Sequence, residues 1–522
     1  MASVSATAYL PPPPLSGSAR MWGTLALSAA TFMNVLDSSI ANVSLPAIAG
    51  DLGVSPNQGV WVITSFGVAN AIAVPLTGWL SQRFGQVRLF TASIMLFVLT
   101  SWLCGLAPNM TTLIFFRVLQ GLVAGPMIPL SQALLLSSYP RAMAGTAMAL
   151  WSMTTLVAPV MGPLLGGWIT DNMSWPWIFY INIPVGFGAA FVTWKIFHKR
   201  ESQTHKLPID SVGLALLVIW VGALQIMLDK GKELDWFHSG EVIALGIVAL
   251  VGFIAFVIWE LTEEHPVVDL TLFKKRNFWA GVVAISVGYG LFFGNVVLLP
   301  LWLQQYMGYT ATQAGMVLAP VGVMALLLSP VVGKTLHKVD PRHYAAFSFV
   351  VFMLVLWMRS QFNTQADFGT ILIPTIIQGV AMAFFFIPLM TITLSGLSHD
   401  KIPAASGLSN FVRITAGSFG TSIATTVWQD RAALHHAQIS EYVSQGSQAT
   451  SSALSGLAGA GLTPEQALGT VNRLVDQQAY MLAANDVFYV SALMFLLLIP
   501  LIYLTRRAPI GAASADAAAA AH

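Results

Sequence analysis

Long apolar runs separated by short polar breaks occupy almost the whole chain. Fourteen of them read as spans, over 22–42, 59–80, 89–107, 111–135, 144–169, 175–196, 211–228, 240–259, 279–303, 312–334, 344–361, 368–395, 404–428 and 486–505. A helix needs roughly 20 apolar residues to cross about 30 Å of hydrocarbon, and these runs match that requirement. Pro and Gly interrupt several, which membrane helices tolerate when neighbours or water satisfy the freed backbone groups. The pattern predicts an all-α polytopic membrane protein with 14 transmembrane helices.

Three stretches fall outside this pattern. Residues 1–20 form a Pro-rich tail and 508–522 an Ala-rich one, both expected to be disordered. Pro11 to Pro14 occupy the place of a signal peptide's apolar region, so the run from Trp22 reads as an uncleaved span. The one long loop is 429–485. Within it Thr463-Pro464-Glu465-Gln466 has the form of a helix start, with Thr as N-cap, Pro at the first position and Gln at the third. It predicts a short helical excursion there; a docking surface for a partner and a simple extension of the flanking spans are both open.

Composition supports the membrane reading. Hydrophobic residues make up 56% and charged residues 9%, with mean hydropathy +0.72, against about 25% charged in a soluble domain. Net charge is +2 and no basic tract exists, so nucleic acid is not an expected partner. The single cysteine, Cys104, excludes an intrachain disulfide and a cysteine metal site. No metal is expected at His435 and His436, which read as solvated histidines. No G-x-x-x-x-G-K-[ST] sequence and no sizeable soluble domain occur, which excludes an ATP-driven pump.

Basic residues set the orientation, because Lys and Arg concentrate in cytoplasmic loops. With a cytoplasmic N-terminus, most of the 24 Lys and Arg fall inside. Only Lys230, Lys232, Arg359, Arg431 and Arg473 fall outside, and Arg117 and Arg413 lie within spans. Both termini are then cytoplasmic.

The chain also echoes itself. Gln58-Gly59 opens a span ending at Pro75-Leu76-Thr77-Gly78 with Arg83 beyond; Gln313-Ala314-Gly315 opens one ending at Pro330-Val331-Val332-Gly333 with Lys338 beyond. Gln120-Gly121 with Pro129-Leu130 is matched by Gln378-Gly379 with Pro388-Leu389 at nearly the same offset. The echoes predict two six-span halves, 21–200 and 277–507, with 201–276 an inserted helix pair. Duplicated halves around a central site are a transporter plan.

Four stretches resemble motifs of the major facilitator superfamily. Leu36-Asp37-Ser38-Ser39-Ile40-Ala41-Asn42-Val43-Ser44-Leu45-Pro46 resembles the first-span motif of its drug:proton antiporters. Gly78 to Arg88 resembles the loop motif between spans 2 and 3, Arg117-Val118-Leu119-Gln120-Gly121 the fourth-span motif, and Ala158 to Gly167 the fifth-span antiporter motif. With fourteen spans and a long last outer loop, nearly the whole chain is similar to the fourteen-helix branch. The stretches 61–70 and 228–236 resemble inner-membrane subunits of tripartite multidrug pumps. The resemblance implies a 6 + 2 + 6 major facilitator fold in the bacterial inner membrane. It also implies export of small hydrophobic drugs against protons, no cofactor, and a periplasmic adaptor leading to an outer-membrane channel. One departure stands out: Gln82 occupies the place of the acid that usually precedes Arg83.

Physical chemistry narrows the candidates. Asp37 lies deep in span 1, where an acid is costly unless paired, protonated or facing water. Since burial favours the neutral form of a carboxylate, Asp37 is the candidate for proton coupling. A structural acid bonded to Ser38 or Asn42 is the alternative. Arg117 stays charged in any setting, so it cannot carry the proton; the resemblance makes it the partner that tunes the acid, against a packing role. Gly78, Arg83, Gly85 and Arg88 form the conformational loop motif. Pro159, Gly162, Pro163, Gly166 and Gly167 allow close helix approach and a bend, which between the halves could seal one access route. Asn34, Gln120, Phe384, Phe385 and Arg413 are candidates for the substrate cavity or gating. One proton entering through about 100 mV supplies roughly 2.3 kcal/mol, and each pH unit about 1.4 kcal/mol, enough to drive such export. Import of a nutrient or ion is the alternative, and the span-5 motif argues against it.

Overall fold

The computed structural model describes residues 13–507 apart from 55, 60, 141–142, 206–207, 209, 232–233, 310, 337, 399–400 and 444–446, and omits the side chains of 42, 43, 46, 56, 57, 156, 160, 163, 164, 171, 311 and 312. Among the described residues there is no strand. The α-helices are α1 Gly17–Asp51, α2 Pro56–Gly59, α3 Trp61–Ala73, α4 Thr77–Phe84, α5 Gln86–Gly105, α6 Met110–Ala124, α7 Met127–Ser138, α8 Ala144–Asn172, α9 Trp177–Tyr180, α10 Asn182–Phe197, α11 Ser211–Lys230, α12 Gly240–Thr262, α13 Arg276–Tyr306, α14 Ala311–Thr335, α15 Pro341–Arg359, α16 Phe368–Leu394, α17 Ile402–Tyr442, α18 Gln448–Gly459 and α19 Pro464–Tyr503.

Ten helices among the described residues are long and apolar enough to cross a membrane, or eleven when α3 and α4, bent by 62°, count as one span. The other three predicted spans coincide with α1, α8 and α17, whose sequences carry more small and polar residues. The tails 1–12 and 508–522, Arg141, Lys206 and Lys232 lie outside the described residues. Gly17 to Arg20, assigned to the disordered tail, belong instead to the first turns of α1.

Local chemistry explains many helix starts. Asn109, Asp210 and Asp367 each accept a backbone N–H three residues on, from Thr112, Gly213 and Thr370. Asp340 caps α15 ahead of Pro341. At α19 the Thr463 hydroxyl accepts from Gln466 N–H and the Gln466 side chain accepts from Thr463 N–H, a full capping box. That helix does not stop as a short excursion. It runs 40 residues into the last span, and α17 runs 41. The loop is therefore mostly an extension of its flanking helices, with α18 between them.

Within the helices before residue 200, α1 packs on α8 and α10, α3 on α6, and α5 on α6 and α10; among those after 276, α13 packs on α17 and α19, and α15 on α16 and α19. α11 leans on both α3 and α17. Leu217, Trp220 and Val221 of α11 share a buried cluster with Ala71, Ile72, Leu408 and Phe411. α12 lies outermost, exposing Ile247, Leu250, Val251, Ile254 and Ile258. In lipid, apolar faces gain nothing by leaving the bilayer, so helix association rests on close packing and interhelical hydrogen bonds.

Close contacts between the two sets gather at the end that carries the basic loops. Gly78 of α4 abuts Ala404 of α17, Gly145 of α8 abuts Gly333 and Leu336 of α14, and Gly407 abuts the Val74 carbonyl. A Cβ at Gly78 would lie 2.6 Å from the Ala404 Cβ, so the helices meet there backbone to backbone. Across the same seam Gln132 Oε1 of α7 accepts from Ser406 Oγ and, at 3.0 Å, from Asn410 Nδ2 of α17.

Candidate functional site

Five side chains from four spans converge on one buried ion pair. Arg117 Nη1 of α6 donates to Asp37 Oδ2 of α1 at 2.6 Å, and both side chains are fully buried. The other Asp37 oxygen accepts from Asn182 Nδ2 of α10 at 2.9 Å and from Gln120 Nε2 at 3.2 Å. Ser101 Oγ of α5 accepts from both amides, at 3.0 Å and 2.7 Å. Arg117 also reaches Gln120 Oε1 at 2.6 Å and, through Nε, the Val62 carbonyl at 3.0 Å. Its guanidinium lies 4.2 Å from the Phe66 ring centroid and 5.5 Å from that of Phe179. A charge pair removed from water is tolerated when its groups find such partners, although Arg117 Nη2 has none among the described residues.

These partners decide what Asp37 is bonded to. Ser38 Oγ donates to its own helix, to the Asn34 carbonyl, and the Asn42 side chain lies outside the described residues. Asp37 is held by groups from other helices. Ser101 and Asn182 are not among the residues expected from the sequence; each is a single polar residue in an apolar run, a weak signal when read alone. Asn34 donates to the Ala124 carbonyl at 3.1 Å, beside the break between α6 and α7.

The fifth-span motif bears on the same helix. A Cβ on Gly162 would run into Ser39, and one on Gly166 would lie 2.8 Å from Ile40. These glycines seat α8 against α1 just beyond Asp37, within one set of helices, and α8 meets Gly333 of α14 across the seam nearer its start, at Gly145, Thr146 and Ala149. α8 is one continuous helix, so no break accompanies the motif. Pro159 is half-buried, Gly167 lies in the same stretch, and the Pro163 side chain is outside the described residues.

In the loop motif Gly85 has φ +88°, a left-handed value suited to glycine, and it closes α4 and opens α5. Glu201 covers that start: Val87 N–H donates to Oε1 at 2.9 Å and Arg88 N–H to Oε2 at 2.8 Å. An acid at a helix N-terminus is stabilising. Arg83 lies over Trp79, 5.5 Å from its centroid, and Arg88 Nε is 4.0 Å from Glu201. Gln82 accepts through its backbone carbonyl from His205 N–H.

Three residues stand apart from the Asp37 site. Phe385 packs against Phe349, Phe352 and Phe386, and Phe384 against Tyr344 and Phe347, within the later set of helices. Arg413 lies over Tyr289 and Phe386 and donates to Asn410 in its own helix. Arg359, counted with the outer charges, is instead fully buried, donating to Gln378 Oε1 at 2.6 Å and Thr375 Oγ1 at 3.1 Å. His435 and Arg431 are not merely solvated; both reach Asp486, at 2.8 Å and 2.7 Å.

An all-helical membrane fold with a buried acid–arginine pair inside it is the frame of a transporter rather than an enzyme. The chain belongs to the Major Facilitator Superfamily, whose model matches residues 27–421. It is 52% identical over 500 residues to the multidrug export protein EmrB of Escherichia coli (strain K12), covering 96% of this chain and 98% of that one. It is 49% identical over 494 residues to the fatty acid resistance protein FarB of Neisseria gonorrhoeae, covering 95% and 97%. Among solved structures, the human organic anion transporter MFSD10 shares the fold, with TM-score 0.59 and 11% identity over 92% of this chain and 99% of that one.

Proposed function

We propose that this protein is a proton-coupled multidrug antiporter that exports hydrophobic or amphiphilic toxic compounds across the bacterial inner membrane. The observation that carries this reading is the Asp37–Arg117 pair, an ionisable couple buried inside the helices and hydrogen-bonded to Gln120, Asn182 and the Val62 carbonyl. Identity near 50% to EmrB and FarB over nearly the full chain supports export and resistance as its purpose.

The geometry suggests how a proton is used. Protonating Asp37 removes its charge and would orphan Arg117, and breaking a buried pair costs about 3–5 kcal/mol. Gln120 Oε1, the Val62 carbonyl and the Phe66 ring already stand around the guanidinium. Arg117 keeps these contacts when the acid is neutral, so the proton frees α1 from α6. Gly162 and Gly166 then pass that freedom from α1 to α8, the helix that meets α14 at the seam. The halves 21–200 and 277–507 rock about this seam, with 201–276 inserted between them, and the closed basic end corresponds to a carrier shut towards the cytoplasm. Gly78, Arg83, Gly85 and Arg88 form the hinge of that motion, with Glu201 supplying an acid to a motif in which Gln82 replaces the usual one.

Both termini are cytoplasmic in this reading, no cofactor is needed, and the proton gradient drives the cycle. The long α17–α19 hairpin projects on the periplasmic side. It is the contact for an EmrA-like adaptor, and through it a TolC-like outer-membrane channel. The test is efflux of a fluorescent drug from everted vesicles. Transport should stop when the proton gradient is collapsed; transport that continues unchanged would overturn the reading.

A further inference from the structure

Arg413 is a buried cation whose needs the described residues meet only in part. It is 4% exposed and sits eleven residues into α17. An arginine keeps its charge there, and an unpaired charge inside a membrane marks a functional site by default. Among the described residues no carboxylate forms an ion pair with it, and Asp37 is already committed to Arg117. Among those same residues it donates to Asn410 Oδ1, at 2.6 Å, and its Nε has no partner. Tyr289 and Phe386 hold their rings 4.7 Å and 5.4 Å from the guanidinium carbon. Aromatic faces temper the charge but accept no strong hydrogen bond.

The surroundings repeat the same lack. Across the seam Gln132 uses its oxygen on Ser406 and Asn410, which leaves Nε2, a buried donor, without a partner among the described residues. Two unsatisfied donors from opposite sets of helices therefore lie either side of Asn410. The aromatic wall continues from Tyr289 to Phe293, whose centroids are 4.4 Å apart. Donors and a fixed positive charge at one end, and stacked rings at the other, are complementary to a monoanion with an apolar body.

We propose that Arg413 binds the acidic head group of amphiphilic carboxylates, with their apolar part against Tyr289, Phe293 and Phe386. This rests on the export reading and names a substrate class for it. The head group takes the Nη2 and Nε donors, displacing Asn410 Oδ1. Asn410 also holds Gln132 across the seam, so the bound anion loosens the contact that keeps the basic end shut.

The test measures binding of decanoate and of decanamide, the uncharged analogue of the same chain length, to the full-length protein in nanodiscs of phosphatidylcholine. The wild type should prefer decanoate by about tenfold, the scale of a charge-assisted hydrogen bond. Arg413→Gln should lose that preference while still binding decanamide, which shows it folded, and Arg413→Lys should keep most of it. Equal preference in Arg413→Gln and wild type overturns the proposal, as does its loss in Arg413→Lys with decanamide binding intact. If Arg413→Gln does not fold, the Arg413→Lys result alone decides. Adding phosphatidylglycerol separates the sources of the anion: a decanoate preference that disappears assigns the site to lipid and overturns the substrate class. Drug efflux by wild-type vesicles is scored separately, so failure of transport and failure of this site are distinguishable.

Discussion

Arg117 and Arg359 are each fully buried and each donate at 2.6 Å to a glutamine followed by glycine, Gln120 and Gln378, yet of the two Arg117 alone pairs with a carboxylate among the described residues. The 258 residues that separate the two glutamines also carry Asp37 to Asn295 and Ser101 to Arg359. Asn295 spends its amide on the Leu291 carbonyl at 2.6 Å and on Ser491 at 3.2 Å. The polar frame is thus kept in both places while the titratable group is kept in one. In the first region a carboxylate stands among the arginine's partners, beside Gln120 Oε1, the Val62 carbonyl and the Phe66 ring. In the second no carboxylate pairs with the arginine among the described residues, and Arg359 ties α15 to α16 through Nη2, while its Nε and Nη1 have no partner there. Burial of an arginine marks a candidate; the acid opposite it decides whether the site can switch.

Loss of the acid should separate the two sites most strongly. Asp37→Asn keeps the size and most hydrogen bonds but leaves Arg117 uncompensated, so proton-driven efflux in everted vesicles should fall by about two to three orders of magnitude, the scale of the roughly 3–5 kcal/mol cost of breaking a buried pair. A mutant that confers drug resistance equal to wild type sinks the assignment. The two arginines should also respond differently to substitution. Arg117→Met should abolish drug-induced proton release from the purified protein, whereas Arg359→Met should leave it within about threefold and alter only the melting temperature. If Arg359→Met uncouples transport, the second site is not a static tie.

The smallest effect lies outside the spans. Burial pushes the Asp340 carboxyl up, but hydrogen bonds and charge from Arg342, 2.6 Å away, outweigh this and hold it below its ordinary value of 3.8. Because the folded-state value is the lower one, the stabilisation is fully present above about pH 4 and fades as pH falls through the depressed value. Asp340→Asn should lower the melting temperature slightly at pH 6 and converge with wild type in strong acid. A constant difference across that range would remove the ion pair as the cause.

Much of the site is legible in the sequence. Asp37, Arg117 and Arg413 stand out because a charge in an apolar run is costly one residue at a time, and the Thr463–Gln466 box is readable because both partners are local. Phe384 and Phe385 are poor guides to a cavity, since aromatic residues fill cores as readily as they line sites. Arg359 misleads for a related reason: at the end of a run, a charge pointing inward and one pointing out look identical along the chain.

Local sequence is enough to read the membrane class, many of the places where helices begin, and the identity of the charged residues inside spans. These follow from local costs of hydration, capping and backbone conformation. Tertiary structure alone decided which charges meet. Asp37 finds Arg117 across 80 residues and Asn182 across 145, and Gly162 and Gly166 turn towards α1 rather than the seam. Such partners depend on the rotation and crossing of each helix, and that is set by the packing of all its neighbours at once.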